Sequence, residues 1–481
     1  VIIVSNDEMH EKLKNIIQEK NFIKKIITFD KIKKANYEKK YLDFSSVVNN
    51  NLNENDKIKN PGLKRNSAAC IIYTSGTGGN PKGVILSHGG ILNNLEGAEE
   101  ILKPLINLNQ RPTFLTWLPL SHSYEHTVQF VQIAVGAKVF YAEKIEKLLD
   151  NIAEAKPTIM TAVPRFYQNL YNKININMKK ATGLKAKLIK TTIYLGKKEL
   201  RKQKMNFFER FINLLLNILV RKKVKKQFGG NLKAFVSGGG ALDKEIGEFL
   251  NAIGLPTLQG YGLTETSPVV SCNPINKIRV ETVGPPFKGN KVKIADDGEI
   301  LVNGENVMNG YWGDPKATSS TLIDGWIHTG DIGELDSEGY LKITDRKKDI
   351  IVNAGGDNIS PTRIEEKLNI RPEIAQSMMY GDFKNYLVAI IVPDKEFTKK
   401  WAEQNNKEFE IEKLNKDKDF IKMIKDVIDN VNVNLSPMEH VRKFLLIDEE
   451  FTIENKLMTP TLKVRRFKIK EKYKNELEQL Y

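Results

Sequence analysis

The residues with the clearest chemical potential form one glycine-rich stretch, Tyr73 to Val84, which reads YTSGTGGNPKGV. Its glycines let the backbone approach an anion closely, its Ser and Thr side chains offer hydroxyl donors, and Lys82 supplies a positive charge. These groups suit a polyphosphate, and we expect the stretch to connect a buried strand to a helix. The alternative is a flexible Gly/Ser/Thr connection that binds nothing.

The same stretch does not fit the P-loop of kinases and ATPases. That pattern requires Gly immediately before its Lys and Ser or Thr immediately after it, whereas Pro81 and Gly83 stand in these positions. The sequence therefore favours a phosphate-binding loop of another kind.

Other catalytic centres have weaker support. His122 and His126 have the spacing of one helix face, but Ser123 replaces the Glu of a zinc-binding H-E-x-x-H pattern. The sequence contains no G-x-S-x-G elbow, which disfavours a Ser-His-Asp hydrolase. The two cysteines, Cys70 and Cys272, lack metal or redox spacing, so a reducing, cytoplasmic setting is expected.

Alternating strand and helix patterns must position these residues. Their order predicts an α/β fold with mostly parallel sheets covered by helices. Between 283 and 343, short strands separated by Gly and Asp predict a small antiparallel or β-barrel-like element. We expect a large N-terminal domain over residues 1–345, with a basic helical insertion at about 165–230, and a smaller α+β domain over 346–481.

Positive charge is concentrated in one part of the chain. The net charge is +15, and residues 171–230 contain 17 Lys or Arg against Glu199 and Glu209. Such a segment suits an anionic membrane surface, a phosphate-rich ligand or a nucleic acid, and a merely solvated helical face is an equal alternative.

The first residues suggest that the sequence starts inside a domain. It lacks an initiating Met, and VIIV followed by DEMHEKLKNIIQE predicts a strand running directly into a helix. No apolar run has the length of a membrane span, and the opening does not resemble a signal peptide. We therefore expect a cytoplasmic protein that lacks its N-terminal part.

Five stretches together identify a family resemblance. Tyr73 to Val84 resembles the signature loop of the adenylate-forming enzymes, the superfamily of acyl-CoA synthetases, luciferases and peptide-synthetase adenylation domains, although the usual second Thr is replaced by Gly78. Four further stretches resemble other signatures of that family: SGGGALD (Ser237–Asp243), GYGLTETSP (Gly260–Pro268), WIHTGDIG (Trp326–Gly333) and TDRKKDIIVNAGGDNISP (Thr344–Pro361).

The resemblance implies a nucleotide site. ATP phosphates would contact Thr74, Ser75, Gly76, Thr77, Gly78, Gly79 and Lys82. Adenine and AMP would contact Gly239, Gly240, Ala241, Gln259, Gly260, Tyr261, Gly262, Leu263 and Thr264, with Tyr261 stacked on the base. Asp331 and Arg346 would bind the ribose. Glu265, with Thr74, would hold Mg²⁺, a hard cation that binds carboxylate and phosphate oxygens together.

The resemblance also implies the catalytic residues. Thr264, Glu265 and Lys463 would act on the reacting groups, and the Lys463 ammonium would stabilise charge as a carboxylate attacks the α-phosphate. Lys348 would be the hinge of a mobile C-terminal lid that serves two half-reactions. His122 and Tyr124 would lie near the acyl pocket, and Gly355 and Gly356 would lie in the coenzyme A region.

The implied activity is the activation of a carboxylic acid as an acyl-adenylate, followed by transfer to coenzyme A. Mg²⁺ is the implied cofactor, and ATP and coenzyme A are the implied co-substrates. The basic helical insertion resembles that of the long-chain fatty acyl-CoA synthetases, so a long-chain fatty acid is the expected substrate. Residues 171–230 would contact the inner face of an anionic membrane peripherally.

Three alternatives remain open at this stage. The acceptor is a carrier protein instead of coenzyme A, the enzyme is another carboxylic-acid ligase of the superfamily, or the chain is a non-catalytic basic module that binds lipid or nucleic acid. Retention of Lys82, Glu265, Asp331, Arg346 and Lys463 argues against the non-catalytic module, and nucleic acid is not an expected partner. The sequence leaves chain-length preference and oligomeric state open.

Overall fold

The structure is a computed structural model of the 481-residue chain. It describes residues 1–481 except 21, 34–39, 50–61, 75–80, 107–110, 144 and 460–461, and except the side chain of Lys179. The described residues form two compact units, Val1–Leu63 and Lys64–Tyr481. The predicted boundary between residues 345 and 346 stays a prediction.

The first unit is a small parallel sheet with two helices: β1 (Ile2–Val4), α1 (Asp7–Glu19), β2 (Ile26–Thr28), β3 (Tyr41–Asp43) and α2 (Phe44–Val48). The Asn6 side chain caps α1 by accepting a hydrogen bond from the backbone N–H of Met9 at 3.0 Å. Val4, Ile17 and Ile26 form its buried core. The predicted opening strand and helix are confirmed.

The second unit begins with the elements around its largest sheet. In chain order they are β4 (Ala68–Tyr73), β5 (Gly83–Ser87), α3 (His88–Leu102), β6 (Thr113–Thr116), α4 (Ser123–Ala134), β7 (Lys138–Tyr141), α5 (Leu148–Ala155), β8 (Ile159–Ala162), α6 (Pro164–Lys179), α7 (Gly183–Leu200), α8 (Phe207–Leu216), α9 (Lys222–Gln227), β9 (Ala234–Ser237), α10 (Lys244–Ala252), β10 (Thr257–Gly262) and β11 (Val269–Cys272).

The remaining elements form smaller sheets and the helices that cover them. They are β12 (Lys291–Ile294), β13 (Glu299–Asn303), β14 (Gly310–Tyr311), α11 (Pro315–Thr321), β15 (Leu322–Ile323), β16 (Trp326–Leu335), β17 (Leu341–Arg346), β18 (Ile351–Val352), β19 (Asn358–Ile359), α12 (Pro361–Asn369), β20 (Ile374–Tyr380), β21 (Leu387–Pro393), α13 (Lys395–Gln404), α14 (Ile411–Leu414), α15 (Lys418–Asn432), β22 (Val441–Leu446), α16 (Arg466–Lys472) and α17 (Lys474–Glu478).

The largest sheet has six strands in the order β11-β10-β9-β8-β6-β7. All neighbours are parallel except β11, which pairs antiparallel with β10. Every residue of β8 is buried, as expected for a parallel strand covered on both faces. Met160, Phe235 and Leu250 belong to the core cluster on one side of this sheet. The predicted mostly parallel sheet is confirmed.

The prediction that the glycine-rich stretch connects a strand to a helix is wrong. The stretch joins β4 to β5, which pair antiparallel with Ile72 opposite Val84, and β14 completes this separate sheet. Because the residues after Gly83 continue as a strand, the helix starts only when the Ser87 hydroxyl accepts from the N–H of Gly90 at 3.0 Å. β4 is also largely accessible to solvent, and Ile72 is its buried residue.

Two smaller sheets match the later sequence patterns. β12, β13, β16, β15 and β17 form a five-stranded antiparallel sheet, which confirms the predicted antiparallel element. β20, β21 and β22 form a three-stranded mixed sheet near the C-terminus. All seven residues of β21 are buried between two core clusters, so this strand is central to the region after residue 345.

Helices α6 to α9 confirm the predicted helical segment. A π-helical turn, Asn217–Arg221, joins α8 to α9 without interruption. Gly196 of α7 lies against α10: a Cβ atom added there would lie 2.6 Å from the Cα of Ala252. Among the described residues, no helix is both long enough and apolar enough to span a membrane.

Replacing Gly196 should therefore separate α7 from α10. We expect Gly196→Leu to lower the free energy of unfolding by about 1–3 kcal/mol, because the added side chain meets backbone atoms that cannot move aside cheaply. Urea denaturation measures the change. Lys190→Leu, at an exposed position of the same helix, is the control, and equal stability of the two variants would contradict the close packing.

Candidate functional site

One cavity of about 2080 Å³ lies within the second unit. Its lining includes described residues from each of the five predicted stretches and from the segment around Lys463: Thr74, Lys82, Gly239, Gly240, Ala241, Gln259, Gly260, Tyr261, Gly262, Leu263, Thr264, Glu265, Asp331, Arg346, Lys348 and Lys463. Residues separated by almost four hundred positions therefore share one space.

Strand pairing places the two glycine-rich segments side by side. Ser237 at the end of β9 lies opposite Gln259 of β10 in a parallel register, so both segments leave the same edge of the sheet. Gly238 packs against the ring of Tyr124, where an added Cβ atom would lie 2.9 Å away. Gly239 has φ +80°, a conformation that glycine adopts without strain. The backbone of the segment after β9 therefore forms one wall of the cavity.

The base of the signature loop is fixed by two hydrogen bonds. The backbone N–H of Thr74 donates to the carbonyl of Lys82 at 2.9 Å, and the N–H of Lys82 donates to the Thr74 hydroxyl at 3.1 Å. The Lys82 ammonium lies 4.7 Å from the ring centre of Tyr311. The predicted phosphate contacts Ser75, Gly76, Thr77, Gly78 and Gly79 lie outside the described residues.

Tyr311 connects this lysine to the predicted metal ligand. Its hydroxyl donates to Oε1 of Glu265 at 2.8 Å while its ring lies under Lys82. Burial, followed by the neighbouring Glu265 charge, raises the pKa of Tyr311, so its hydroxyl stays protonated and able to donate. A cation and a carboxylate therefore flank one aromatic residue, a suitable arrangement for phosphate oxygens and a divalent cation.

The predicted ribose ligands are adjacent because β16 and β17 pair with Asp331 opposite Arg346. Nε of Arg346 lies 3.6 Å from Oδ1 of Asp331, and the Tyr261 hydroxyl donates to Oδ2 of Asp331 at 2.7 Å. Burial raises the pKa of Asp331, and Arg346 and Tyr261 act in the opposite direction. Stacking of Tyr261 on adenine stays a prediction; its hydroxyl is committed to Asp331.

Thr264 and Gln259 have defined partners. The Thr264 hydroxyl lies 3.3 Å from the hydroxyl of Ser123, the first residue of α4. The Gln259 amide donates to the backbone carbonyl of Val280. Gln259 thus shapes the cavity with its amide already bonded, whereas Thr264 presents a hydroxyl whose partner is another rotatable hydroxyl.

Lys463 enters the cavity from the segment before α16. Its backbone forms a turn with Thr459, whose N–H donates to the Lys463 carbonyl at 2.9 Å. Burial, followed by the Arg346 charge, lowers the pKa of Lys463, while Asp331 and Glu265 act against this shift. The four charged side chains thus influence one another across the cavity.

His122 and His126 have different partners. His122 is the N-cap of α4, where its Nδ1 accepts from the N–H of Tyr124 at 3.2 Å. Burial, followed by the Lys463 charge, lowers the pKa of His122 to about 4. His126 contacts the Cys70 sulfur at 3.8 Å. Among the part of the chain that the structure describes, no group of three His, Cys, Asp or Glu residues could hold a metal ion.

Four predicted residues outside the predicted set of nucleotide contacts have different positions. Tyr124 is buried, lines the cavity with His122, and donates to the carbonyl of Val236 at 3.1 Å. Lys348 is exposed in a turn directly after β17 and lines the cavity. Gly355 and Gly356 lie in an exposed turn between β18 and β19 and are not lining residues, so the coenzyme A region stays a prediction.

An apolar surface continues the same cavity. It is formed by side chains of α3, α4, β6 and β8, together with Phe287: Ala98, Ile101, Leu102, Phe114, Val128, Val131 and Ile159. Several of them belong to one core cluster that joins the two helices to the sheet. The site therefore combines a charged region with a space suited to hydrocarbon.

Sequence reasoning missed two residues of this site. Tyr311 lies in NGYWGDP, a turn-like stretch without a nucleotide pattern. Ser123 was considered as a residue that breaks a zinc motif, and its contact with Thr264 depends on the pairing of distant elements. Neither position carries a local signal, because both roles arise from tertiary contacts.

Comparisons with known sequences agree with this geometry. Residues 1–312 match the profile of the AMP-binding enzyme family, and residues 348–481 match that of the AMP-binding enzyme C-terminal domain. The chain is 35% identical over 422 residues to long-chain-fatty-acid–CoA ligase FadD15 of Mycobacterium bovis, covering 87% of this chain and 70% of that protein. It is 32% identical over 430 residues to human long-chain-fatty-acid–CoA ligase 1, covering 86% and 61%.

Solved structures share the fold. The adenylation domain of a carboxylate reductase from Mycobacterium chelonae aligns with a TM-score of 0.73 at 19% identity, covering 100% of this chain and 73% of that one. o-Succinylbenzoate coenzyme A synthetase from Bacillus subtilis, solved with ATP and magnesium, aligns with a TM-score of 0.63 at 21% identity, covering 96% and 82%. The family profiles, which together match most of the sequence, show that this chain belongs to the AMP-binding enzyme family.

Proposed function

We propose that this chain activates a long-chain fatty acid with ATP as an acyl-adenylate and transfers the acyl group to coenzyme A. One observation carries the proposal: a single cavity brings Lys82, Glu265, Asp331, Arg346 and Lys463 together with the apolar surface between α3 and α4. The charged region suits ATP and the acid carboxylate, and the apolar surface suits the hydrocarbon chain. The relatives named long-chain-fatty-acid–CoA ligases support the choice of acid.

In the first half-reaction, a carboxylate oxygen attacks the α-phosphorus of ATP and diphosphate leaves. Lys463 stabilises the charge that develops between the carboxylate and the α-phosphate, and Lys82 contacts the departing phosphates. Glu265 is the carboxylate that would hold Mg²⁺, with Thr74 as a second oxygen donor, and the bound ion would offset phosphate charge. Asp331 and Arg346 orient the ribose.

In the second half-reaction, the thiolate of coenzyme A attacks the acyl carbonyl and AMP leaves. We propose that Lys463 leaves the site with the lid before this step, so that thioester formation proceeds without it. We propose that residues 346–481 act as the lid, that Lys348 is its hinge and that Gly355 and Gly356 contact coenzyme A. A peripheral contact between residues 171–230 and an anionic membrane is part of the proposal.

The activity is tested by acid-dependent exchange of labelled diphosphate into ATP, using the complete gene product that contains this chain. We expect Mg²⁺-dependent exchange that increases from short to long acids, because a longer chain buries more apolar surface in the cavity. Coenzyme A and a carrier-protein thiol, supplied in parallel, identify the acceptor. A folded protein without exchange for any acid would refute the proposal.

Lys463→Ala should separate the half-reactions. We expect adenylate formation to fall about 100-fold or more, since one stabilising charge is lost from the transition state, while thioester formation from supplied acyl-AMP changes little. Single-turnover measurements of each step provide the comparison. Lys468→Ala, an exposed neighbour paired with Glu471, is the control, and equal loss of both steps in the Lys463 variant would contradict the assigned role.

Tyr311→Phe tests the contact that positions Glu265. The variant keeps the ring beneath Lys82 but removes the donor to Oε1 of Glu265. We expect the Mg²⁺ concentration for half-maximal activity to rise about tenfold, because groups that orient a metal ligand contribute to metal affinity. Tyr340→Phe removes a hydroxyl bonded to the carbonyl of Lys277 and serves as the control. An unchanged Mg²⁺ requirement would show that Tyr311 does not position this carboxylate.

A further inference from the structure

A continuous helical segment from Phe207 to Gln227, made of α8, the π-helical turn and α9, presents an unusual surface. Its 21 residues correspond to a length of about 30 Å. The side that contacts the protein holds the buried polar residues Asn213 and Arg221 beside the buried Leu216, and the side that faces solvent is rich in large apolar groups. Large apolar groups are not expected on the outer side of a helix that covers a soluble core.

Polar contacts attach the inner side to α7 and α10. The Asn213 amide donates to Glu199 at 2.8 Å, and the Arg221 guanidinium donates to the Asn213 side-chain oxygen and to the Ala252 carbonyl, each at 2.8 Å. Glu209 pairs with Lys198 at 2.6 Å. Asn213 and Arg221 are both buried. These bonds fix the orientation of the helix about its axis. The residues on its outer side therefore stay exposed.

The outer side carries seven large apolar residues that we call the α8 face. Phe207 is 87% exposed, Phe208 67% and Leu214 61%, and the others lie between 41% and 55%: Phe211, Leu215, Ile218 and Leu219. Successive members are one or three positions apart, so they follow one stripe of the helix. A contiguous apolar stripe of this kind on the surface indicates an interaction site.

Basic residues flank the α8 face at both ends. Between Arg201 and Gln227 the sequence contains nine Lys or Arg and one acidic residue, Glu209, which is already paired with Lys198. Lys202 and Lys204 precede the face, and Lys222, Lys223 and Lys226 follow it; all five are exposed. The surroundings of the apolar stripe are thus strongly cationic.

We propose that the α8 face inserts into the interfacial region of a bilayer that contains anionic lipids, with the flanking lysines contacting the headgroups. Apolar side chains beside a cationic rim match the acyl and phosphate layers of such a bilayer. A second copy of the chain fits less well, because it would bring two cationic rims together. The inference deepens the membrane contact in the proposed function, but binding to lipid does not depend on ligase activity.

The test measures binding of the complete gene product that contains this chain to vesicles by flotation. One set contains zwitterionic phosphatidylcholine alone, and the other contains roughly a third phosphatidylglycerol. We expect the wild-type chain to bind the anionic vesicles. The variant Phe207→Ser/Phe208→Ser/Leu214→Ser should bind at least about tenfold more weakly, because three side chains no longer transfer from water into the bilayer.

Two control variants separate the physical contributions. Phe383→Ser/Val433→Ser/Met438→Ser removes exposed apolar residues elsewhere and should leave vesicle binding unchanged. Lys222→Gln/Lys223→Gln/Lys226→Gln should weaken binding to anionic vesicles and reduce its dependence on salt. Because all nine positions are exposed, circular dichroism should show folded proteins.

Several results would overturn the inference. One is loss of binding in the lysine variant with no change in the α8-face variant, which indicates electrostatic adsorption without insertion. Another is a wild-type dimer that the α8-face variant converts to a monomer, which assigns the face to a second copy. Absence of wild-type binding to anionic vesicles also refutes it. Diphosphate exchange, measured without lipid on the same proteins, reports on the proposed function separately.

Discussion

Backbone pairing between β9 and β10 is the constraint on which the site depends. These parallel strands end at the same edge, with Ser237 opposite Gln259, and both continue into glycine-rich segments. The antiparallel pairing of β16 with β17 plays the corresponding role for Asp331 and Arg346. Hydrogen bonds of two ladders therefore determine which polar groups meet, while the side chains determine what those groups can bind.

The second determinant of the site is the balance of charge inside the cavity. Lys82, Arg346 and Lys463 supply positive charge, and Glu265 and Asp331 supply negative charge. Desolvation alone would disfavour each ion. Each carboxylate is stabilised by a hydrogen bond from a nearby tyrosine hydroxyl, Tyr311 for Glu265 and Tyr261 for Asp331. Two of the cations are restrained as well, since Arg346 lies 3.6 Å from Asp331 and Lys82 lies 4.7 Å from the ring centre of Tyr311. This restraint lowers the ordering cost of binding a triphosphate.

The sequence was sufficient to predict the main sheet, the antiparallel element and many of the residues that line the cavity. Those predictions depended on strong local patterns: buried strands, Gly turns and distinctive motifs. It was insufficient for the connection after Tyr73, because a strand and a helix begin with similar apolar patterns over the few residues from Gly83 to Ser87. The pairing of β5 with both β4 and β14 decides between them, and that pairing is a tertiary property.

The role of Tyr311 could not be predicted for the same reason. Its partners, Lys82 and Glu265, are distant in sequence, and the contact exists because β14 pairs with β5 beside the base of the signature loop. No local property of the segment around it distinguishes this tyrosine from a packing residue. Residues that orient a ligand from a neighbouring strand are thus the hardest to predict from one sequence.

The basic helical segment shows how composition and structure answer different questions. Counting charges located a cationic region, but the arrangement of its apolar residues is visible only once Asn213 and Arg221 are known to point inward. α10 then links the cavity to the proposed α8 face, since Ala252 at its C-terminal end accepts from Arg221 and Lys244 at its N-terminal end lines the cavity. A fatty acid dissolves in a bilayer far better than in water. The proposed fatty-acid cavity and the proposed membrane face are attached to opposite ends of one short helix, and the two proposals therefore agree with each other.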